Sequence, residues 1–157
     1  MLFRSFTGSG INPYFITDQE LEKLLNAELM PKLKNNMPET VFYYGAGCGD
    51  DSNVKKIKGV LQRLLKIKKV NVDTDIIGAA RALCGKEKGM ACILGTGSNS
   101  CFFNGKKIAK NNPSLGYLLG DEGSDSFLGK MVLQHHLSNI FEPDLQDRFL
   151  QIGRAHV

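Results

Sequence analysis

Residues 93–129 read ILGTGSNSCFFNGKKIAKNNPSLGYLLGDEGSDSFLG, and the fold is decided by how this stretch is divided. An apolar run breaks into Gly95-Thr96-Gly97-Ser98, a hairpin follows, and a glycine-rich acidic turn at 120–124 opens a helix. The first turn enters a hairpin rather than a helix, so it is neither a Walker loop nor a dinucleotide fingerprint. Its glycines would let backbone N–H groups approach an anion closely, and Thr96 and Ser98 add hydroxyls. A plain strand turn accounts for the four residues equally well. Asn104-Gly105 predicts a two-residue type I′ turn between strands at 100–103 and 106–109. Two donor turns so close together suggest a site for a phosphate and a hydroxylated substrate.

The segments upstream alternate between strands and helices. Thr17 with Glu20 forms a capping box, and Leu21, Leu24, Leu25, Leu29 and Leu33 follow on one helical stripe. Pro31 should kink or end that helix. The run 40–44 (TVFYY) predicts a buried strand that stops at the glycine-rich turn 45–49. Asp50, Asp51 or Ser52 then caps a helix with Val54, Ile57, Val60, Leu61, Leu64 and Leu65 inward and its lysines in solvent. Val70–Val72 is a short strand running into Asp73-Thr74-Asp75. A helix from Ile76 to Cys84 follows and ends at Gly85, a suitable left-handed cap. A further buried strand is expected at 90–94. The last helix carries Phe127, Leu128, Met131, Val132, His135 and Leu137.

This order predicts an α/β fold with a mixed or parallel sheet and covering helices. Functional groups in such sheets gather where strands end and helices begin, which places Asn12, the turn 45–49 and Asp75 in candidate positions. A composition break near 85–89 divides the chain into domains at 1–86 and 87–150. Residues 1–6 alternate weakly, as at the end of a strand.

The 157 residues carry a net charge of +4, with basic residues clustered at 55–69, and this modest excess does not require nucleic acid. No window approaches the roughly 20 apolar residues of a membrane span, and the first residues lack a signal-peptide core, so a cytoplasmic setting is expected. Cys48, Cys84, Cys92 and Cys101 have no metal-ligand spacing and read as structural thiols. His135 and His136 read as packing and surface residues, and the residues themselves indicate no metal ligands. Gln151–Val157 resembles one reading frame of a common sequencing adapter and is set aside from the fold.

Two acidic positions have two readings each. Asp75 is a helix N-cap or a general base toward a substrate hydroxyl. Asp121 and Glu122 suit the positive end of a helix, or could hold sugar hydroxyls or a hydrated metal.

The ordered set DIIGAARAL, CILGTGSNS and LGYLLGDEGS closely resembles the N-acetylglucosamine kinase and BadF/BadG-type ATPase family, within the actin, hexokinase and heat-shock ATPase superfamily. The resemblance spans Phe6 to about Phe149. It implies two ribonuclease-H-like α/β lobes, incomplete at both ends here, closing over ATP, Mg²⁺ and a hexosamine. Residues 1–86 then belong to the first lobe and 87–150 begin the second. Asp75 matches the base. Gly95, Thr96, Gly97 and Ser98 match the second phosphate loop, and Asn12, Gly116 and Asp121 match sugar contacts.

The family's opening D-G-G/S-x-T-K phosphate loop has no counterpart here, and its adenosine segment would follow the last helix. About half of a typical member is therefore expected to be absent. The implied partners are a sugar and a nucleotide, with no nucleic acid or membrane, and a homodimer is compatible. The resemblance leaves two alternatives to the kinase: a BadF/BadG-type activator ATPase with an iron–sulfur cluster, and a non-catalytic sugar-binding regulator.

Overall fold

The structure is a computed structural model that describes residues 5, 7–33, 36–112 and 114–154. Apart from Ser5, the expected strand end at 1–6 lies outside the described residues, as do 155–157. Helix α1 (Asp18–Glu28) opens on the predicted capping box: Thr17 Oγ1 accepts from the Glu20 N–H, and Glu20 Oε2 takes the Thr17 N–H. The helix breaks at Leu29, and Pro31 sits inside a separate short turn, α2 (Met30–Leu33), near a helix start where its missing donor is not needed.

Strands β1 (Thr40–Gly45) and β2 (Lys69–Thr74) pair in parallel, connected by α3 (Asp51–Leu65). Asp50 is the N-cap of α3, accepting the Ser52 N–H at 2.7 Å. Ile57, Val60, Leu61 and Leu65 bury its inner face against Leu21, Cys48 and Val70, while Val54 and Leu64 are half-buried. Each fully buried aliphatic side chain contributes about 1.5–3 kcal/mol relative to exposure.

β1 is not buried on both faces as its apolar run predicts. Val41 and Tyr43 face this core, whereas Phe42 points the other way and is 62% exposed. A continuous apolar run shows strand propensity, but the helices packed around it decide how many faces are covered.

Helix α4 (Asp75–Cys84) lies between two sheets. On one side, Gly78 lets the helix approach β1 so closely that a Cβ would stand 2.8 Å from Tyr44 Cβ. On the other, Ile76 and Ala80 form a second core with Ala91, Cys101 and Phe103. That core belongs to an antiparallel sheet of β3 (Lys88–Leu94), β4 (Ser98–Asn104) and β5 (Ile108–Asn112). β3 covers one face only: Ala91 is buried, while Met90 and Leu94 are 72% and 70% exposed, so this strand also departs from the expected burial.

The β4–β5 connection differs from the expected type I′ turn. It spans residues 105–107, and Gly105 alone among them has positive φ (91°), whereas type I′ needs two such residues. Asn104 Oδ1 instead accepts the N–H groups of Lys106 (3.0 Å) and Lys107 (2.9 Å), a side-chain-closed turn. The chain ends in a short α5 (Gly116–Leu119), α6 (Asp125–Leu137) and α7 (Pro143–Arg154). α7 runs through residues 151–154 of the segment set aside in the sequence. No helix among the described residues is long and apolar enough to cross a membrane.

Candidate functional site

The parallel pair brings one group of expected residues together. Gly45 and Thr74 are register partners at the C-terminal ends of β1 and β2, so the turn 46–49 and the start of α4 sit side by side. Thr74, not Asp75, is the N-cap: its Oγ1 accepts the Ile77 N–H at 3.4 Å. Asp75 is the first residue of the helix, half-buried, with Oδ1 taking the Ile76 N–H at 2.8 Å. The cap reading of Asp75 is thereby corrected. Burial pushes the neighbouring Cys48 thiol up, and the Asp75 and Asp73 carboxylates add to the shift.

Asn12 belongs to the same edge. Its Oδ1 accepts the Tyr14 N–H at 3.1 Å, closing a turn whose Pro13 is buried against Gly47. Lys56 Nζ holds this loop by donating to the Pro13 (2.8 Å) and Ile16 (3.0 Å) carbonyls. One lysine of the expected solvated face is therefore a structural clamp.

The second group surrounds the turn between β3 and β4. Gly95 O accepts the Asp125 N–H (2.9 Å) and Thr96 O accepts the Ser126 N–H (3.4 Å), so the start of α6 ties down the turn's carbonyls. The Gly95 N–H donates to Gly97 O at 3.0 Å. Thr96 and Gly97 donate their N–H groups to no acceptor among the described residues. The Ser98 N–H is occupied: it donates to Asp121 Oδ1 at 3.3 Å.

Asp121 is 8% exposed and sits in the left-handed region (φ 59°). Its Oδ1 also accepts from Ser114 Oγ. A Cβ at Gly97 would stand 3.0 Å from its Oδ2, a tight contact to which the carboxylate would have to yield. Asp121 does not cap α6. Ser124 does, accepting the Phe127 N–H at 3.1 Å. Gly116 opens α5 at φ 74° and donates its N–H to Ser114 Oγ at 3.3 Å.

A cleft of about 440 Å³ opens beside this second group, its wall including Ser98, Asn99, Ser100, Asn112, Ser114 and Asp121. Of the expected site residues, Ser98 and Asp121 line it. Gly97 touches Asp121 and Gly116 touches Ser114, one step behind the wall. Asn12 and Asp75 do not line it. The lining is rich in hydroxyls and amides, and among the described residues Asn99 Oδ1 is the buried side-chain atom without a protein partner. Cys92, expected to be buried, is exposed and lines the cleft, because it lies on the face of β3 opposite α4.

The two groups share one end of the molecule. Cys84 Sγ lies against Gly89, so α4 turns back along β3 after a connection of three residues. Its N-terminus, with Asp75, thereby points toward the end of β3 where Gly95–Ser98 begins.

This fold has a counterpart among solved structures. It matches the crystal structure of a Porphyromonas gingivalis protein named "Putative N-acetylglucosamine Kinase", with a TM-score of 0.85 and 40% identity over 91% of this chain. The match covers 51% of that protein, so the chain spans about half of its length. The mixed α/β arrangement described above is the shared fold. No family model matches the chain, and no curated protein matches it.

Sequence reading missed Ser114 and Asn99. Both sit outside any glycine-rich turn or acidic pair. Ser114 is distinguished only by its hydrogen bond to a residue seven positions on, and Asn99 only by lacking a partner.

Proposed function

We propose that the chain carries the sugar-facing and phosphate-facing parts of an ATP-dependent kinase for N-acetylglucosamine, glucosamine or a related hexosamine, built on ribonuclease-H-like lobes divided near residue 86. The observation that carries this reading is a β3–β4 turn whose Thr96 and Gly97 N–H groups have no acceptor among the described residues. The name of the Porphyromonas protein supports the substrate class.

Asp75 accepts the proton of the attacking sugar hydroxyl. Thr74 caps the helix start, and Asp75 Oδ1 takes the Ile76 N–H, which leaves Asp75 Oδ2 without a protein donor among the described residues. The turn Gly95, Thr96, Gly97 and Ser98 receives the phosphates through its Thr96 and Gly97 N–H groups, while α6 holds the Gly95 and Thr96 carbonyls away. Asn12, Gly116 and Asp121 form the sugar side. In phosphoryl transfer of this kind the protein acts by positioning and by meeting charge as it develops.

The two open N–H groups of the turn fit nucleotide phosphates. No cluster of three or more His, Cys, Asp or Glu suited to a metal occurs among the described residues. Mg²⁺ would enter with the nucleotide, held by phosphate oxygens, and would neutralise phosphate charge.

The test is ATP turnover by the full-length protein against a hexosamine panel, with Asp75→Asn as the control. Turnover that depends on Asp75 is expected. Sugar binding with no turnover in the wild type would instead indicate a non-catalytic sugar-binding protein.

A further inference from the structure

Asp121 is a buried carboxylate with only one of its oxygens committed to the protein. Oδ1 takes both the Ser98 N–H and the Ser114 hydroxyl. Oδ2 has no protein donor among the described residues, yet it is not among the fully buried unpartnered atoms, so it keeps surface. Burying a charge with an unfilled acceptor is costly unless a donor arrives. The cleft that Asp121 lines is the side from which a donor can come, and hydroxyls and amides there share the wall with the apolar Ile93, Leu94 and Leu115 and with Glu122.

We propose that Ser114 is a positioning residue for sugar binding. Its hydroxyl pins Asp121 Oδ1 and thereby aims Oδ2 into the cleft, where it accepts a hydrogen bond from a hydroxyl of the bound sugar. Ser114 is itself oriented: its oxygen accepts the Gly116 N–H at 3.3 Å, which directs its own proton toward Asp121. Gly97 completes the arrangement by leaving room beside Oδ2 that a larger residue would fill. Because the oxygen that Ser114 holds also takes the Ser98 N–H, the hydroxyl secures the sugar side without a contact of its own to the turn's remaining donors. This inference rests on the sugar-kinase reading for the identity of the ligand.

The test compares the full-length wild type with Ser114→Ala, Ser114→Thr, Asp121→Asn and the Ser114→Ala/Asp121→Asn double variant. Sugar KM, ATP KM and kcat are measured, with sugar Kd by calorimetry on the same samples. Ser114→Ala is expected to raise sugar KM and Kd by about ten-fold, the scale of one hydrogen bond to a charged group. ATP KM should stay within about two-fold, and the loss should fall on KM rather than kcat. Ser114→Thr keeps the hydroxyl and should recover most of the affinity.

In the Asp121→Asn background the further loss from Ser114→Ala should shrink to about two-fold or less, since Ser114 acts on the sugar only through the Oδ2 acceptor that the amide removes. Unchanged sugar affinity in Ser114→Ala would overturn the proposal. So would an equal loss in Ser114→Thr, or losses that simply add in the double variant. A wild type that binds the sugar without phosphorylating it defeats the kinase reading alone, and calorimetry then still decides on Ser114. A wild type that neither binds nor phosphorylates any hexosamine overturns both.

Discussion

Gly78 separates two effects that act in opposite directions on the same atom. Alanine is favoured over glycine inside a helix by about 1 kcal/mol. At this position its Cβ would meet Tyr44 Cβ at 2.8 Å and Cγ at 2.9 Å, atoms near the backbone that cannot swing aside cheaply. Overpacking typically costs about 1–3 kcal/mol, so the clash should win and Gly78→Ala should be destabilising in urea unfolding. A stabilised variant would show that α4 sits further from β1. Tyr43 allows a second residue-scale test. Burial pushes its phenol up to about 12 from an ordinary 10. Its neutral form is favoured by folding, so its contribution is full below pH 10 and is lost as pH rises through about 12. Tyrosinate absorbance should therefore show one late-titrating tyrosine, and Tyr43→Phe should remove that step.

The elements show which parts of the structure were legible in the sequence. Caps were legible because they are local. Thr17 with Glu20 involves atoms three positions apart, and the sequence narrowed the α3 cap to residues 50–52, of which Asp50 takes the role. The carboxylates in these two caps, Glu20 and Asp50, are held below their ordinary values of 4.5 and 3.8 by hydrogen bonds from Thr17 and Ser52. Groups lowered in this way stabilise the fold above those values and lose that contribution as pH falls. Denaturant midpoints should accordingly drop on acidification below pH 4.5, and less so in Glu20→Gln. An acid-insensitive midpoint would contradict the capping geometry.

Strand faces were not legible, because covering is decided by distant partners. The exposure of Phe42, Met90 and Leu94 follows from where α4 and α3 pack, not from the apolar runs themselves. The link from Ser98 to Asp121 spans 23 positions and was likewise invisible. The α6 cap was not legible for a related reason. Asp121 and Glu122 have the composition of a helix entry, but a left-handed φ at Asp121 turns its carboxylate away to the β3–β4 turn. Ser124→Ala should cost about 1 kcal/mol of stability, read by thermal unfolding, since it removes the true cap of α6.

At the scale of the molecule, α4 joins the two sheets: Gly78 brings it against β1, and Ile76 and Ala80 form the second core with β3 and β4. The chain also presents apolar side chains with little cover, among them Leu118, Leu119, Leu133 and Leu137 on α5 and α6. Together with the exposed Phe42 face of β1, these should make the 157-residue chain self-associate, as measured by light scattering across a concentration series. A monodisperse monomer at high concentration would count against that expectation.

The division of labour within the site makes a sharper demand. If Asp75 is the base and Thr74 the cap, losing the Asp75 carboxylate should stop chemistry while leaving the helix in place. The direct measurement is kcat for hexosamine phosphorylation by the full-length protein and its Asp75→Asn variant, alongside sugar affinity and thermal unfolding. The expected result is a kcat lower by roughly 100- to 10,000-fold, with the fold and sugar binding retained. A variant that phosphorylates the sugar at the wild-type rate would contradict it.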